Sequence, residues 1–249
     1  MVAARAGGDR GRGRVRAGDM GWRCGGGGGG ERAATETVAV EEAEEPGESA
    51  RQEAAREEGA TGVDGERISN ADAEPGNWLA HGRSYNEQRF SPLDQITPEN
   101  IGELSLAWSM DTGTTRGLEA TPIVVDGTMY MSLTWGVTIA VDAKSGEELW
   151  RFDPEVPGEW GRYGCCDVVN RGVAVWKGRV YVASFDGRLF ALDAKDGSVV
   201  WEVNTIPGPP YTITGAPRVF NDKVVIGNGG GEYGVRGYIT AYDTSLTHL

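Results

Sequence analysis

The feature that most constrains this chain is a repeat of about fifty residues in its second half. Residues 121–132, 172–183 and 216–227 can be laid over one another, each reading as strand, two-residue turn, strand. The turns Asp126-Gly127, Lys177-Gly178 and Asn221-Asp222 are of the types that supply positive φ in tight hairpins, so they fix register as well as direction. After each hairpin comes a third strand ending in Ala-x-Asp, at Asp142, Asp193 and Asp243, so the repeat recurs after 51 and then 50 residues. The first two repeats continue alike, through the turns at Gly146 and Gly197, to fourth strands carrying Trp150 and Trp201. Four antiparallel strands per fifty residues is the pattern of a propeller blade. The tryptophans read as packing residues that dock one blade on the next.

The ends of the repeat region are lopsided. Residues 104–111, around Trp108, match only the tryptophan-led fourth strand, and the last repeat has three strands. Propellers close by joining first and last strands in one blade, and repeat arrays bury their cores between neighbours. The expectation is therefore an all-β, incomplete β-propeller over residues 63–249: an orphan outer strand, two whole blades and part of a third, with carboxy-terminal blades absent. Ahead of the orphan strand, Thr97 as N-cap and Pro98 at the first helical position predict one short helix.

The front is different material. Residues 1–32 carry seven arginines against three acids, and residues 33–75 carry thirteen acids against three arginines. Neither block has apolar periodicity, so residues 1–62 are expected to be a disordered low-complexity leader, Arg/Gly-rich and then acidic. The net charge of −13 argues against nucleic acid as a partner. No stretch approaches the roughly 20 apolar residues of a membrane helix, and no apolar core follows a basic start as in a secretion signal.

Three cysteines are too few for a disulfide scaffold, yet two of them, Cys165 and Cys166, are adjacent. Neighbouring Cα atoms lie about 3.8 Å apart, below the roughly 4.4 Å at which ordinary disulfides begin. A bond between them would close a strained ring, and strain of that kind needs a use. Two reduced thiols in a loop is the plain alternative. Residues 229–231 are three glycines, whose amides an anion could approach closely, as it could those of an ordinary loop.

The segments 164–172 (Gly-Cys-Cys-Asp-Val-Val-Asn-Arg-Gly) and 229–237 (Gly-Gly-Gly-Glu-Tyr-Gly-Val-Arg-Gly), set within this repeat, resemble the methanol and ethanol dehydrogenases that use pyrroloquinoline quinone (PQQ). The resemblance runs from about Asp64 to Tyr242 and implies an eight-bladed propeller with the quinone at its axis. It implies that Cys165 and Cys166 form a disulfide lid over one face of the quinone. Arg171 then falls at the position of a carboxylate-binding arginine, a task suited to its planar fork of donors. Glu119 and Thr214 fall at further quinone-contacting positions; without the resemblance they read as a surface acid and a strand residue. Gly229, Gly230 and Gly231 would line the cofactor, with Gly229 where relatives often have serine. Glu232 matches the glutamate that binds Ca²⁺ or a lanthanide ion, a hard cation suited to carboxylate. The resemblance further implies alcohol oxidation, a cytochrome c type electron acceptor and a periplasmic location, the last at odds with the leader. It places the remaining metal ligands and the catalytic aspartate beyond Leu249, so that the chain alone is expected to be inactive. The competing reading is a non-enzymatic propeller scaffold of the outer-membrane assembly type, which has no reason to combine Cys165, Cys166, Arg171, Thr214 and Glu232.

Overall fold

A computed structural model of the chain describes Ala60 and residues 62–246. The expected leader, residues 1–62, lies outside the described residues except for its last few. Its boundary moves forward: Ala60 is buried, and the Gly178 amide donates to its carbonyl at 2.7 Å. The Lys177 amide likewise donates to the Val63 carbonyl at 2.9 Å, so the folded unit begins before residue 63.

Three antiparallel sheets follow in order. The first joins β1 (Ile123–Val125), β2 (Thr128–Ser132), β3 (Thr138–Asp142) and β4 (Glu148–Phe152). The second joins β5 (Ala174–Trp176), β6 (Arg179–Ala183), β7 (Arg188–Asp193) and β8 (Val199–Asn204). The third holds β9 (Arg218–Phe220), β10 (Lys223–Gly227) and β11 (Ile239–Asp243). Val125 faces Thr128, Trp176 faces Arg179 and Phe220 faces Lys223, so each hairpin closes over two residues. Those residues all have positive φ, as the turn sequences predict. Both complete sheets break register at the same place, between Ala140 and Val141 and between Ala191 and Leu192. The sheets do not close into a ring.

The tryptophans dock as expected. Trp150 donates its indole N–H to the Ala194 carbonyl at 3.0 Å, and Trp201 donates to the Thr244 carbonyl at 3.3 Å. Each ring thereby crosses from one sheet to the turn that ends the third strand of the next. Gly197 leaves room for Trp150: a Cβ there would sit 2.6 Å from the ring. Trp108 repeats the device, donating to the Ala143 carbonyl at 3.1 Å.

Residues 104–111 nevertheless form no strand, which corrects the expected orphan β-element. A strand needs backbone partners, and among the described residues none pairs with this segment, whose Leu106 is 77 % exposed. The helix expected from Thr97 is also reduced, to a turn and a single 3-10 turn at Ile101–Glu103. Thr97 Oγ does accept the Glu99 amide, but Ile96 and Ile101 stay exposed. A capped turn without a buried face does not propagate.

Among the described residues a short α-helix escaped the sequence reading: α1 (Gly65–Ser69), capped by Asp64, which accepts the Arg67 amide at 2.9 Å. Its Ile68 is buried, and Arg67 pairs with Glu74 (2.7 Å) and ties the helix to the first hairpin turn through Asp126 (2.8 Å). Beyond α1, Trp78 and Val124 exchange backbone hydrogen bonds, and Tyr85 donates its hydroxyl to the Val219 carbonyl. The amino-terminal segment thus leans on the first strands of the first and third sheets.

Candidate functional site

The first strand of each sheet starts at the end away from its hairpin turn, and there the three starts meet. Thr121 and Gly172 form a parallel bridge, the Thr121 amide donates to the Arg171 carbonyl (3.1 Å), and the Arg171 amide donates to the Thr214 carbonyl (3.0 Å). This backbone contact sets Glu119, Arg171 and Thr214 side by side from the segments that lead into three different sheets. Arg171 pairs with Glu119 at 2.9 Å and donates to the Thr214 hydroxyl at 2.7 Å. Its side chain remains 44 % exposed, with the planar guanidinium open to an incoming anion. Gly172 makes the approach possible: its φ is +134°, and a Cβ would lie 3.1 Å from the Thr121 carbonyl oxygen.

Cys165 and Cys166 lie in the same loop, exposed, as free thiols with sulfurs 2.7 Å apart. The structure thus brings together the two sulfurs that the resemblance joins. The Cys165 thiol is pushed up to about 11, first by its hydrogen bond with Cys166 and then by one with Glu232. Glu232 sits in the 3-10 turn Gly231–Tyr233, between Gly230 and Gly234, both with positive φ. Tyr233 anchors that turn by donating to the Arg162 carbonyl at 3.3 Å. The glycine run is less open than its composition suggests, because the Gly229 amide is engaged by the Thr212 carbonyl at 2.7 Å.

The sequence candidates thus gather in two sets, Glu119–Arg171–Thr214 and Cys165–Cys166–Glu232, with Gly229 joined to Thr212 two residues before Thr214. An arginine with a hydroxyl donor beside it suits a planar polycarboxylate. A metal is another matter: among the described residues no group of three or more His, Cys, Asp or Glu could hold an ion.

Sequence reasoning gave no role to Asn170, which holds the loop in place. It is buried, accepts from the Ser132 hydroxyl (2.7 Å) and the Gly172 amide (3.1 Å), and donates to the Ala183 carbonyl (2.7 Å). Its short amide was visible in the sequence, but its partners lie in two sheets and in the loop itself. Asn170→Leu is expected to destabilise the chain by about 3 kcal/mol, since buried partners lose their hydrogen bonds. Urea unfolding measures this, and a loss under about 0.5 kcal/mol would show that the network is dispensable.

Residues 78–246 match the family model of the PQQ-type glucose/ethanol/alcohol dehydrogenase β-propeller domain. The chain belongs to this family. It is 58 % identical over 191 residues to the quinohemoprotein alcohol dehydrogenase ADH IIB of Pseudomonas putida, covering 76 % of this chain and 28 % of that protein. It is 54 % identical over 189 residues to the dehydrogenase subunit of the quinone alcohol dehydrogenase of Komagataeibacter europaeus, covering 73 % of this chain and 26 % of the relative. Among solved structures, the quinohemoprotein alcohol dehydrogenase from Comamonas testosteroni superposes with a TM-score of 0.75 at 53 % identity, over 78 % of this chain and 29 % of that one. A europium-containing methanol dehydrogenase superposes with a TM-score of 0.68 at 39 % identity, over 72 % and 32 %. The chain therefore spans little more than a quarter of the curated relatives' length. Membership bears out the resemblance to the PQQ-dependent family.

Proposed function

We propose that this chain supplies part of the active site of a periplasmic quinoprotein that oxidises primary alcohols to aldehydes. The observation that carries this reading is the meeting of Glu119, Arg171 and Thr214 where the chain enters three sheets, beside the Cys165–Cys166 loop. PQQ, when bound, supplies the oxidant that accepts hydride from the alcohol carbon. Arg171 binds one of its carboxylates, Thr214 and Glu119 hold that guanidinium in place, and Gly230 and Gly231 keep side chains out of its way. Cys165 and Cys166, joined as a disulfide in the oxidised protein, form a rigid wall over one face and exclude water. Glu232 contributes one carboxylate to a Ca²⁺ or lanthanide ion, whose other ligands come from elsewhere in the protein. One relative is named a 1-butanol dehydrogenase (cytochrome c) and another contains europium, which favours a cytochrome acceptor and a lanthanide-tolerant site here too.

PQQ binding tests the central claim. At low ionic strength Arg171→Ala should weaken it about tenfold or more, the worth of charge-assisted hydrogen bonds. Equal binding by the variant and the parent chain would remove Arg171 from the site. The wall is tested by mass spectrometry of the peptide holding both cysteines, after air oxidation and alkylation of the folded chain. A peptide two hydrogens lighter and unalkylated is expected, and two alkylated thiols would rule the disulfide out.

A further inference from the structure

We propose that Arg116 is a positioning residue that holds the Cys165–Cys166 turn closed, as one half of a two-point clasp. Residues 116–119 run beside residues 167–171, and two ion pairs of opposite polarity join them. Arg116 pairs with Asp167, and three residues on, Glu119 pairs with Arg171 at 2.9 Å. Because the signs alternate, a shift of one segment along the other would bring like charges together. The clasp therefore fixes alignment as well as proximity.

Further contacts tie Arg116 to the residues that directly follow the cysteines. Asp167, which follows Cys166 directly, has φ +74°, a left-handed conformation that a non-glycine residue keeps only when its neighbours hold it. Its carboxylate does so from both sides, accepting the Val168 amide at 2.8 Å and the Arg116 guanidinium. That guanidinium lies 5.7 Å from the centre of the Trp135 ring, whose own amide donates to the Val168 carbonyl at 2.8 Å. Trp135 is in turn wedged edge-on against Phe185, with centroids 5.7 Å apart. Arg116 thus joins a fixed ring to the residue that sets the direction of the chain leaving Cys166, and the two sulfurs rest 2.7 Å apart.

The value of this clasp to catalysis rests on the proposed function, but its test does not. The fully reduced chain, with no quinone, metal or alcohol present, is titrated with phenylarsine oxide. This reagent bridges two thiols held close together: two As–S bonds form, and the arsenic-bound oxygen leaves as water with both thiol protons. The bridged peptide is identified by mass spectrometry. Arg116→Gln should bind the arsenical about three- to tenfold more weakly, as expected for losing an exposed ion pair and a cation–π contact. Asp167→Asn, which opens the same pair from the other side, should do likewise, and Arg116→Lys should restore most of the affinity. Salt at about 1 M should weaken the parent chain towards the Arg116→Gln level and leave that variant unchanged. Near-ultraviolet circular dichroism keeps loss of the fold separate from loss of the clasp. Parent-like binding by Arg116→Gln and Asp167→Asn, or failure of Arg116→Lys to recover it, would overturn the proposal.

Discussion

Trp201→Ala is expected to destabilise the folded chain by about 3–5 kcal/mol, the cost of removing a fully buried large ring. Trp201 is 1 % exposed, packs on Tyr181 with centroids 5.8 Å apart, and reaches from β8 to the Thr244 carbonyl of the third sheet. Its loss would leave a cavity at the seam between two sheets, where the surrounding strands are held by their own ladders and cannot collapse into it. Trp150, 8 % exposed at the preceding seam, should cost slightly less. Trp108→Ala should cost only about 1–2 kcal/mol, because its ring is half-buried and its segment pairs with no strand. Trp201→Phe keeps most of the ring and gives up one hydrogen bond, worth about 1 kcal/mol. Urea unfolding followed by circular dichroism gives all four values. Equal losses for Trp108→Ala and Trp201→Ala would mean that docking energy does not follow burial.

The blades were legible because their signals are local. Paired turn residues with positive φ, the Ala-x-Asp ending and one tryptophan per repeat each specify their own few residues, and the period follows by counting. Trp108 shows the limit of that reading. Its ring docks as the repeat predicts, since docking needs only the turn after Asp142, but strand formation needs a neighbouring backbone that the sequence pattern cannot supply. Helix α1 was missed for a related reason. Five residues with one buried isoleucine make no periodic signal, and the helix is held by Arg67 reaching Asp126, 59 positions away. The site was less legible still. Arg171 and Thr214 are 43 residues apart and Glu119 is further on the other side, so their contact depends on three strand starts meeting at one end. Only the resemblance carried by residues 164–172 and 229–237 named them together. It could not reveal Asn170 or Arg116, whose work is to hold the loop and whose partners are a backbone carbonyl, a backbone amide, a serine, an aspartate and a tryptophan ring.

The 249-residue polypeptide, supplied with PQQ and either Ca²⁺ or a lanthanide, is expected to reduce no artificial electron acceptor with ethanol or methanol. Hydride transfer in the proposed reading needs a cation fixed against the quinone, and hard cations take six or more oxygen ligands. Among the described residues Glu232 belongs to no group of three or more such ligands, and it shares a hydrogen bond with the Cys165 thiol. A single carboxylate does not hold such an ion against hydration. The quinone side is weak for the same reason: Arg171 is 44 % exposed and already paired with Glu119, so water and salt compete for any carboxylate it receives. Binding of PQQ without turnover is therefore the expected behaviour of this chain, and Arg171→Ala should weaken even that about tenfold or more. In a full-length relative carrying these residues, the Glu232→Ala change should lower kcat at least a hundredfold with added metal held constant, because a Lewis acid contributes several kcal/mol to the transition state. PQQ-dependent alcohol oxidation by the purified 249-residue chain, lost on Glu232→Ala, would show instead that one carboxylate and an open cluster suffice.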